Sequence, residues 1–257
     1  MIPSFFISHG GPSLVMEENE YTDFLKEIGT NIEKPKAIVI FSAHYEGTKV
    51  KIGAVSDIYD LIYDFYNLNE ELYYVHYAAK GDKKLAERIK NIFFQHGIEA
   101  ALDKERGLDH GVWSILKLMY PEGDIPVVPI SLNPFISPAE YYRIGEVLSP
   151  LREEDILIIG SGGIVHNMDT ASFEGEETLK YETAFDDWLR EKLLGWDLEK
   201  IFNYAKVAPN ANKAVPRPEH LAPLIIMMGT AASSKKVSLV KKVNNSEIIG
   251  LSCYKFE

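Results

Sequence analysis

The sequence predicts an α/β fold: one domain, residues 1–257, around a central mostly parallel or mixed sheet flanked by helices. Three observations carry this reading. Short apolar runs alternate with segments of helical period. Several runs are continuous and rich in β-branched residues, as expected for strands covered on both faces. No repeat, low-complexity tract or interdomain linker breaks the 257 residues, a length that suits one deep core.

Five runs read as strands: Ser4–Ile7, Ala37–Phe41, Pro126–Leu132, Ile156–Ile159 and Ser246–Cys253. Helices fit between them. Tyr21–Ile28 is short. Lys83–Gln95 places Leu85, Ile89, Ile92 and Phe93 on one face, with Asp82 as N-cap and Gly97 as stop. Asp109 is suited to cap a helix through Met119, halted by Pro121. Glu177–Leu194 carries Phe185, Trp188 and Leu189 on its apolar side. A last helix is expected from Pro218 through Met228, since proline suits a first turn.

Composition narrows the function. Net charge is -11, which repels nucleic acid and anionic membranes. The lysine pairs Lys235–Lys236 and Lys241–Lys242 are too short to change that. No apolar run approaches the roughly 20 residues of a membrane span. The start, MIPSFFISHGG, has neither the basic segment nor the cleavage site of a signal peptide. The single cysteine, Cys253, cannot form an intrachain disulfide. A cytoplasmic protein acting on a small molecule is the expectation.

Seven histidines are the most informative feature. His9 (SHGGPS), His44 (FSAHYE) and His166 (GSGGIVHN) each follow a predicted strand. In open parallel sheets that carboxyl edge is where ligands bind. His110 (LDHGVW) and His220 (PRPEHLAP) sit at predicted helix starts, which face the same rim. Five imidazoles from five places in the chain thus converge, the expected look of a metal centre with catalytic groups. His96, in a last helical turn, and His76 read as structural or surface residues. Gly10–Gly11–Pro12 and Gly160, Gly162 and Gly163 allow tight turns and close approach of a ligand. GSGG lacks a following Lys-Ser/Thr, so it is not a P-loop, and Ser161 has the wrong spacing for a nucleophile elbow.

Residues 57–77 hold six of the 14 tyrosines, Tyr59, Tyr63, Tyr66, Tyr73, Tyr74 and Tyr77, together with Phe65. Two readings stand: one wall, or a lid, of a pocket for a flat ring, or an aromatic packing patch or dimer surface.

SHGGPS, FSAHYE, YDFY, LDHGVW, GSGGIVHN, FDDWL and PRPEHLAPL occur in the order seen in the class III extradiol ring-cleavage dioxygenases. The chain resembles that family over nearly its whole length, and within it the DOPA 4,5-dioxygenase-like branch. The resemblance implies a single α/β domain with one divalent metal held by His9, His44 and His220. It places His166 beside that metal, as acid/base or further ligand, and His110 against substrate; Tyr66 of the aromatic segment is a further candidate for substrate binding. It implies Fe(II) in active dioxygenases, Zn(II) in several of this branch, a catecholic substrate with O2, and oligomers, often homodimers. Two departures touch the pocket: Val215 where a histidine often stands, and Asn67–Leu68–Asn69 where a glycine-phenylalanine-proline turn is usual.

Three neutral imidazoles would leave the full charge on a divalent ion, which suits either an anionic catecholate or zinc hydroxide chemistry. Glu46 and Glu219 stand near the ligands and suit acceptors of a ligand's free N–H. His166 would take a catechol proton and return it later. A zinc-dependent hydrolase and a non-enzymatic metal-binding relative are the competing readings.

Overall fold

The computed structural model describes residues 1–167, 176–245 and 248–257. Its strands are β1 (Ser4–Ser8), β2 (Ala37–Glu46), β3 (Val50–Gly53), β4 (Ala100–Asp103), β5 (Val127–Leu132), β6 (Ile156–Gly162), β7 (Val237–Asn245) and β8 (Ile248–Phe256). They form one eight-stranded sheet, ordered β4-β3-β5-β2-β6-β1-β8-β7. The middle four, β5-β2-β6-β1, run parallel, and β8 and β7 add antiparallel strands beside β1. At the other side β3 pairs antiparallel with β5 and parallel with β4. The sheet is therefore mixed, with the predicted parallel centre.

The apolar runs are continuous because both faces are core. Phe6, Val39, Phe41 and Ile158 face one hydrophobic cluster. Their neighbours Phe5, Ile7, Ile38, Ile40 and Ile159 face the other. Period-2 alternation sends successive side chains to opposite faces, and each fully buried side chain of this size contributes about 1.5–3 kcal/mol.

The helices that matter for the site are α1 (Glu20–Asn31), α2 (Lys83–Gln95), α3 (His110–Met119), α4 (Pro138–Leu148), α5 (Glu176–Leu194), the short α6 (Leu198–Phe202), α7 (Tyr204–Val207) and α8 (Ala211–Ala214), and α9 (Ala222–Thr230). The predicted limits of α2 hold: Asp82 accepts from the Leu85 N–H at 2.9 Å, and Gly97 adopts φ +71°. Among the described residues no helix is long and apolar enough to cross a membrane.

Several expectations need correction. β3 and β4 are four residues each, too short to show a period, and β7 carries Lys241 and Lys242 as an edge strand does. α4 has a readable start that was missed: Ser137 and Glu140 form a capping box with Pro138 in the first turn. Asp109 takes the N-cap position of α3 but makes no capping bond. Its carboxylate instead accepts from Ser42 Oγ at 2.6 Å and from Arg106 at 3.2 Å. α9 begins at Ala222, so His220 lies in the turn before it. Ser246, the expected start of the last strand, lies outside the described residues together with Glu247.

Candidate metal centre

His9 follows β1 directly, where Gly10 turns the chain at φ +61°. His44 lies within β2, not in a loop after it. Between Phe41 and Glu46 the pairing with β5 slips, so five steps on β2 match two on β5. Such a bulge re-aims side chains at a strand end. His110 opens α3, His166 follows β6, and His220 precedes α9. A Cβ on Gly162 would lie 2.1 Å from the His220 carbonyl, so glycine is what lets that turn pack onto the end of β6. Gly160 likewise serves close approach, to the Pro223 carbonyl, and none of Gly160, Gly162 and Gly163 has positive φ.

The five imidazoles meet at the carboxyl ends of the parallel strands. Ring centroids stand 4.9 Å apart for His9 and His44, 5.3 Å for His9 and His220, and 5.1 Å for His44 and His220. His110 lies 4.1 Å from His44, and His166 stacks on His220 at 3.4 Å. They divide into two adjoining groups: potential ligand atoms of His9, His44 and His110 fall within 4.8 Å of one another, as do those of His166, Glu219 and His220. The structure therefore brings all five predicted residues together. His76 and His96 are exposed and lie elsewhere, as expected.

Tautomers follow from the surrounding acceptors. Ser161 Oγ donates to the Gly111 carbonyl at 2.5 Å, so it accepts from His9 Nδ1 at 2.9 Å. Asp64 accepts from His110 Nδ1 at 2.8 Å and faces His44 Nδ1 at 3.3 Å. Glu219 accepts from His220 Nδ1 at 3.3 Å. Nδ1 is thus the protonated atom of His9, His110 and His220, which leaves their Nε2 lone pairs free, and the charge of the nearby Asp64 carboxylate favours the same tautomer in His44. His9 Nε2 and His44 Nε2 face each other at 3.1 Å. His220 Nε2 is buried and finds no partner among the described residues. Buried lone pairs without donors are costly, and two of them aimed together repel. A divalent ion removes both problems. Metal–nitrogen bonds of about 2.0–2.1 Å in tetrahedral geometry separate ligand nitrogens by roughly 3.3 Å. The donor set, neutral imidazoles backed by carboxylates and a hydroxyl, fits such an ion.

Electrostatics keep the imidazoles in the ligating form. Burial, then the neighbouring His44, His220 and His110, hold His9 well below the usual histidine range. Burial and His110 bring His44 down to about 3, with Asp64 opposing them. Burial and His220 bring His166 down to about 4. Burial raises the Asp64 carboxyl, but the hydrogen bond from His110 outweighs it and brings it to about 2.

The carboxylates divide. Glu219 backs His220 through Oε1 as expected while its Oε2 lies 3.2 Å from Arg217, whereas Glu46 is held by Arg217 at 2.8 Å. Asp64, which bridges His44 and His110, was missed. It stands in the quoted block YDFY, but nothing in the spacing ties it to a histidine 46 residues away.

The tyrosine-rich segment splits between the two readings. Tyr59 and Tyr77 are core residues. Tyr63, Phe65, Tyr73 and Trp113 form a ring cluster, and Phe65 lies 6.3 Å from His110. Tyr66, expected against substrate, is 82 % exposed. The chain turns away at Asn67, with φ +60°, and the ring that stands beside His110 is Phe65. An apolar ring gains by entering this cluster, whereas the Tyr66 hydroxyl is hydrated at no cost.

A mixed α/β sheet with imidazoles gathered at the carboxyl ends of its parallel strands could hold a metal ion. Residues 3–257 match the family described as the catalytic LigB subunit of aromatic ring-opening dioxygenase, and the chain belongs to that family. It is thereby an oxidoreductase of the aromatic ring-opening, extradiol class. It is 38% identical to a "4,5-DOPA dioxygenase extradiol" of Beta vulgaris, covering 98% of this chain and 96% of the relative. A protein of the same description from Escherichia coli K12 is 32% identical over 93% of this chain and 88% of its own. A solved structure of an uncharacterized Escherichia coli K12 protein superposes with a TM-score of 0.83, at 27% identity and full coverage of both chains.

Proposed function

We propose that the protein opens the ring of a catechol with O2, outside the two hydroxyls, at one divalent metal held by His9, His44 and His220. One observation carries the reading: Nδ1 of His9 and of His220 is hydrogen-bonded to an acceptor and Nδ1 of His44 faces the Asp64 carboxylate at 3.3 Å, which leaves Nε2 as the ligating atom of each ring. When bound, such an ion supplies Lewis acidity and, as Fe(II), electrons for dioxygen chemistry. The chain's own groups do the rest. His166, kept neutral by burial, takes the proton of a catechol hydroxyl and returns it later as an acid. His110 Nδ1–H is committed to Asp64, so its Nε2 is free to accept from a second hydroxyl. Phe65 and its aromatic neighbours offer a flat apolar wall beside His110. Relatives named as DOPA dioxygenases make an amino-acid-bearing catechol the first substrate to try.

The test is to strip the metal and reload with Fe(II) or Zn(II) under argon. Catechols including DOPA and protocatechuate are then added, and oxygen uptake is followed with the yellow ring-opened product. Uptake matched to product with Fe(II), absent with Zn(II), is expected. His166→Ala should keep its metal and lose turnover; loss of metal as well would make His166 a ligand instead. No uptake with any catechol, despite one tightly held metal per chain, would replace ring opening by zinc hydrolysis or plain metal binding.

A further inference from the structure

We propose that Asp64 is a positioning residue that clamps His44 and His110 with one carboxylate, so that a metal ligand and the substrate-facing imidazole are held as one unit. Oδ1 accepts from both the backbone N–H and the Nδ1–H of His110, at 3.1 and 2.8 Å. Oδ2 stands 3.3 Å from His44 Nδ1. The two rings it serves are 4.1 Å apart. They come from unrelated elements, β2 and α3, and Asp64 reaches them from a third segment.

That segment is itself held firmly. Trp113 Nε1 donates to the Ile62 carbonyl at 3.1 Å, and Tyr63 Oη donates to the Val75 carbonyl at 2.8 Å. Tyr63 and Phe65, on either side of Asp64, pack against Trp113. The aromatic cluster therefore fixes the carboxylate, and the carboxylate fixes the imidazoles.

An ionised carboxylate only accepts, so His110 Nδ1 carries hydrogen, and the charge of Oδ2 favours hydrogen over a lone pair on His44 Nδ1. Both Nε2 lone pairs then point away from Asp64, and that of His44 faces His9 Nε2 at 3.1 Å. An isosteric Asn has one accepting oxygen. Its NH2 would meet the second imidazole N–H, and that ring must turn or move its hydrogen to Nε2, where a metal would bind. Because one carboxylate serves both rings, disturbing His110 is felt at His44, and the coupling is reciprocal.

The inference rests on His44 being a ligand, and its test is separate from turnover. Metal-free protein is titrated with Co(II) against a competing chelator for wild type, Asp64→Asn, His110→Ala and the double variant, with thermal unfolding of each metal-free form. Asp64→Asn should bind Co(II) about 10–100-fold more weakly, the usual cost of losing such a partner. His110→Ala should weaken Co(II) several-fold in wild type and have no further effect beside Asp64→Asn. Wild-type affinity in Asp64→Asn, or effects that multiply independently, would overturn the clamp. Nitrogen-15 histidine spectra of the zinc-loaded wild type need no variant: Nδ1-protonated His44 and His110 are expected, and hydrogen on either Nε2 overturns it. A His44→Ala variant with undiminished affinity would instead sink the ligand assignment on which the proposed function stands.

Discussion

The two rims of the sheet bury polar nitrogen in opposite ways. At the amino ends of β1 and β6, Arg152 is almost fully buried, and its guanidinium is satisfied by three carbonyls. Nε donates to Ile2 at 2.9 Å, one terminal nitrogen to Thr230 at 2.5 Å, and the other to Phe256 at 3.0 Å. At the carboxyl ends five imidazoles crowd together, with His9 Nε2 and His44 Nε2 facing each other at 3.1 Å and His220 Nε2 without a partner among the described residues. The first arrangement closes the structure, joining the entry to β1, the end of α9 and the end of β8. The second holds buried acceptors that only a cation or a substrate hydroxyl would satisfy. Buried polarity that is fully paired is a sign of architecture; buried polarity left aimed and unpaired is a sign of a site.

The comparison can be broken in four ways. The largest effect is expected at the site rim. His44→Ala should lower Fe(II)-dependent oxygen uptake by about 10⁴-fold, equivalent to roughly 5.5 kcal/mol, while metal-free unfolding temperature stays unchanged. A matching loss of stability would make the imidazoles structural after all.

Next comes the opposite rim. Arg152→Met strands three buried carbonyls and should cost about 3–5 kcal/mol, seen as a fall of roughly 10 °C in unfolding temperature. Its metal affinity per folded molecule should equal wild type.

Acid should act on the imidazole rim alone, since the Arg152 guanidinium stays charged throughout. His44 and His166 are held at about 3 and about 4 when folded, below the ordinary histidine value of 6.5. Below pH 6.5 the unfolded chain binds protons that the folded chain refuses. Metal-free stability therefore falls as pH drops from 6.5 toward 4, by an amount on the order of 2 kcal/mol. Urea unfolding at several pH values measures this, and a bound metal should steepen the acid loss, since its ligands must stay unprotonated. A flat profile between pH 7 and 4 would mean that these imidazoles are not shielded.

The smallest effect sharpens the distinction between buried and exposed guanidinium. Arg88 makes a two-pronged pair with Glu154 on the Arg152 side, but both side chains are nearly half exposed. Arg88→Ala should change stability by less than about 1 kcal/mol.

The parallel centre of the fold was legible because strands buried on both faces must be apolar throughout. Phe5 and Phe6, or Val39 and Ile40, announce two cores at once. The histidines were legible for a related reason, since ligands gather at the carboxyl edge of such a sheet. The short β3 and the edge strands β4 and β7 were not legible, because a short or half-solvated strand leaves no period to read. Asp64 was equally silent. Its role depends on where the 57–77 segment crosses the rim, and Tyr66 shows that a neighbour two residues on can face water.

Local chemistry and burial are written residue by residue, and so the chain's order alone declared an α/β sheet and named five imidazoles for its rim. Which nitrogen of each ring is bare, which carboxylate stands behind it and which aromatic ring faces the pocket arise from contacts between segments far apart in the chain. His44 and Asp64 are 20 residues apart by number, Asp64 and His110 are 46, and His9 and Ser161 are 152. No periodicity spans such separations, and only the folded packing brings donor to acceptor.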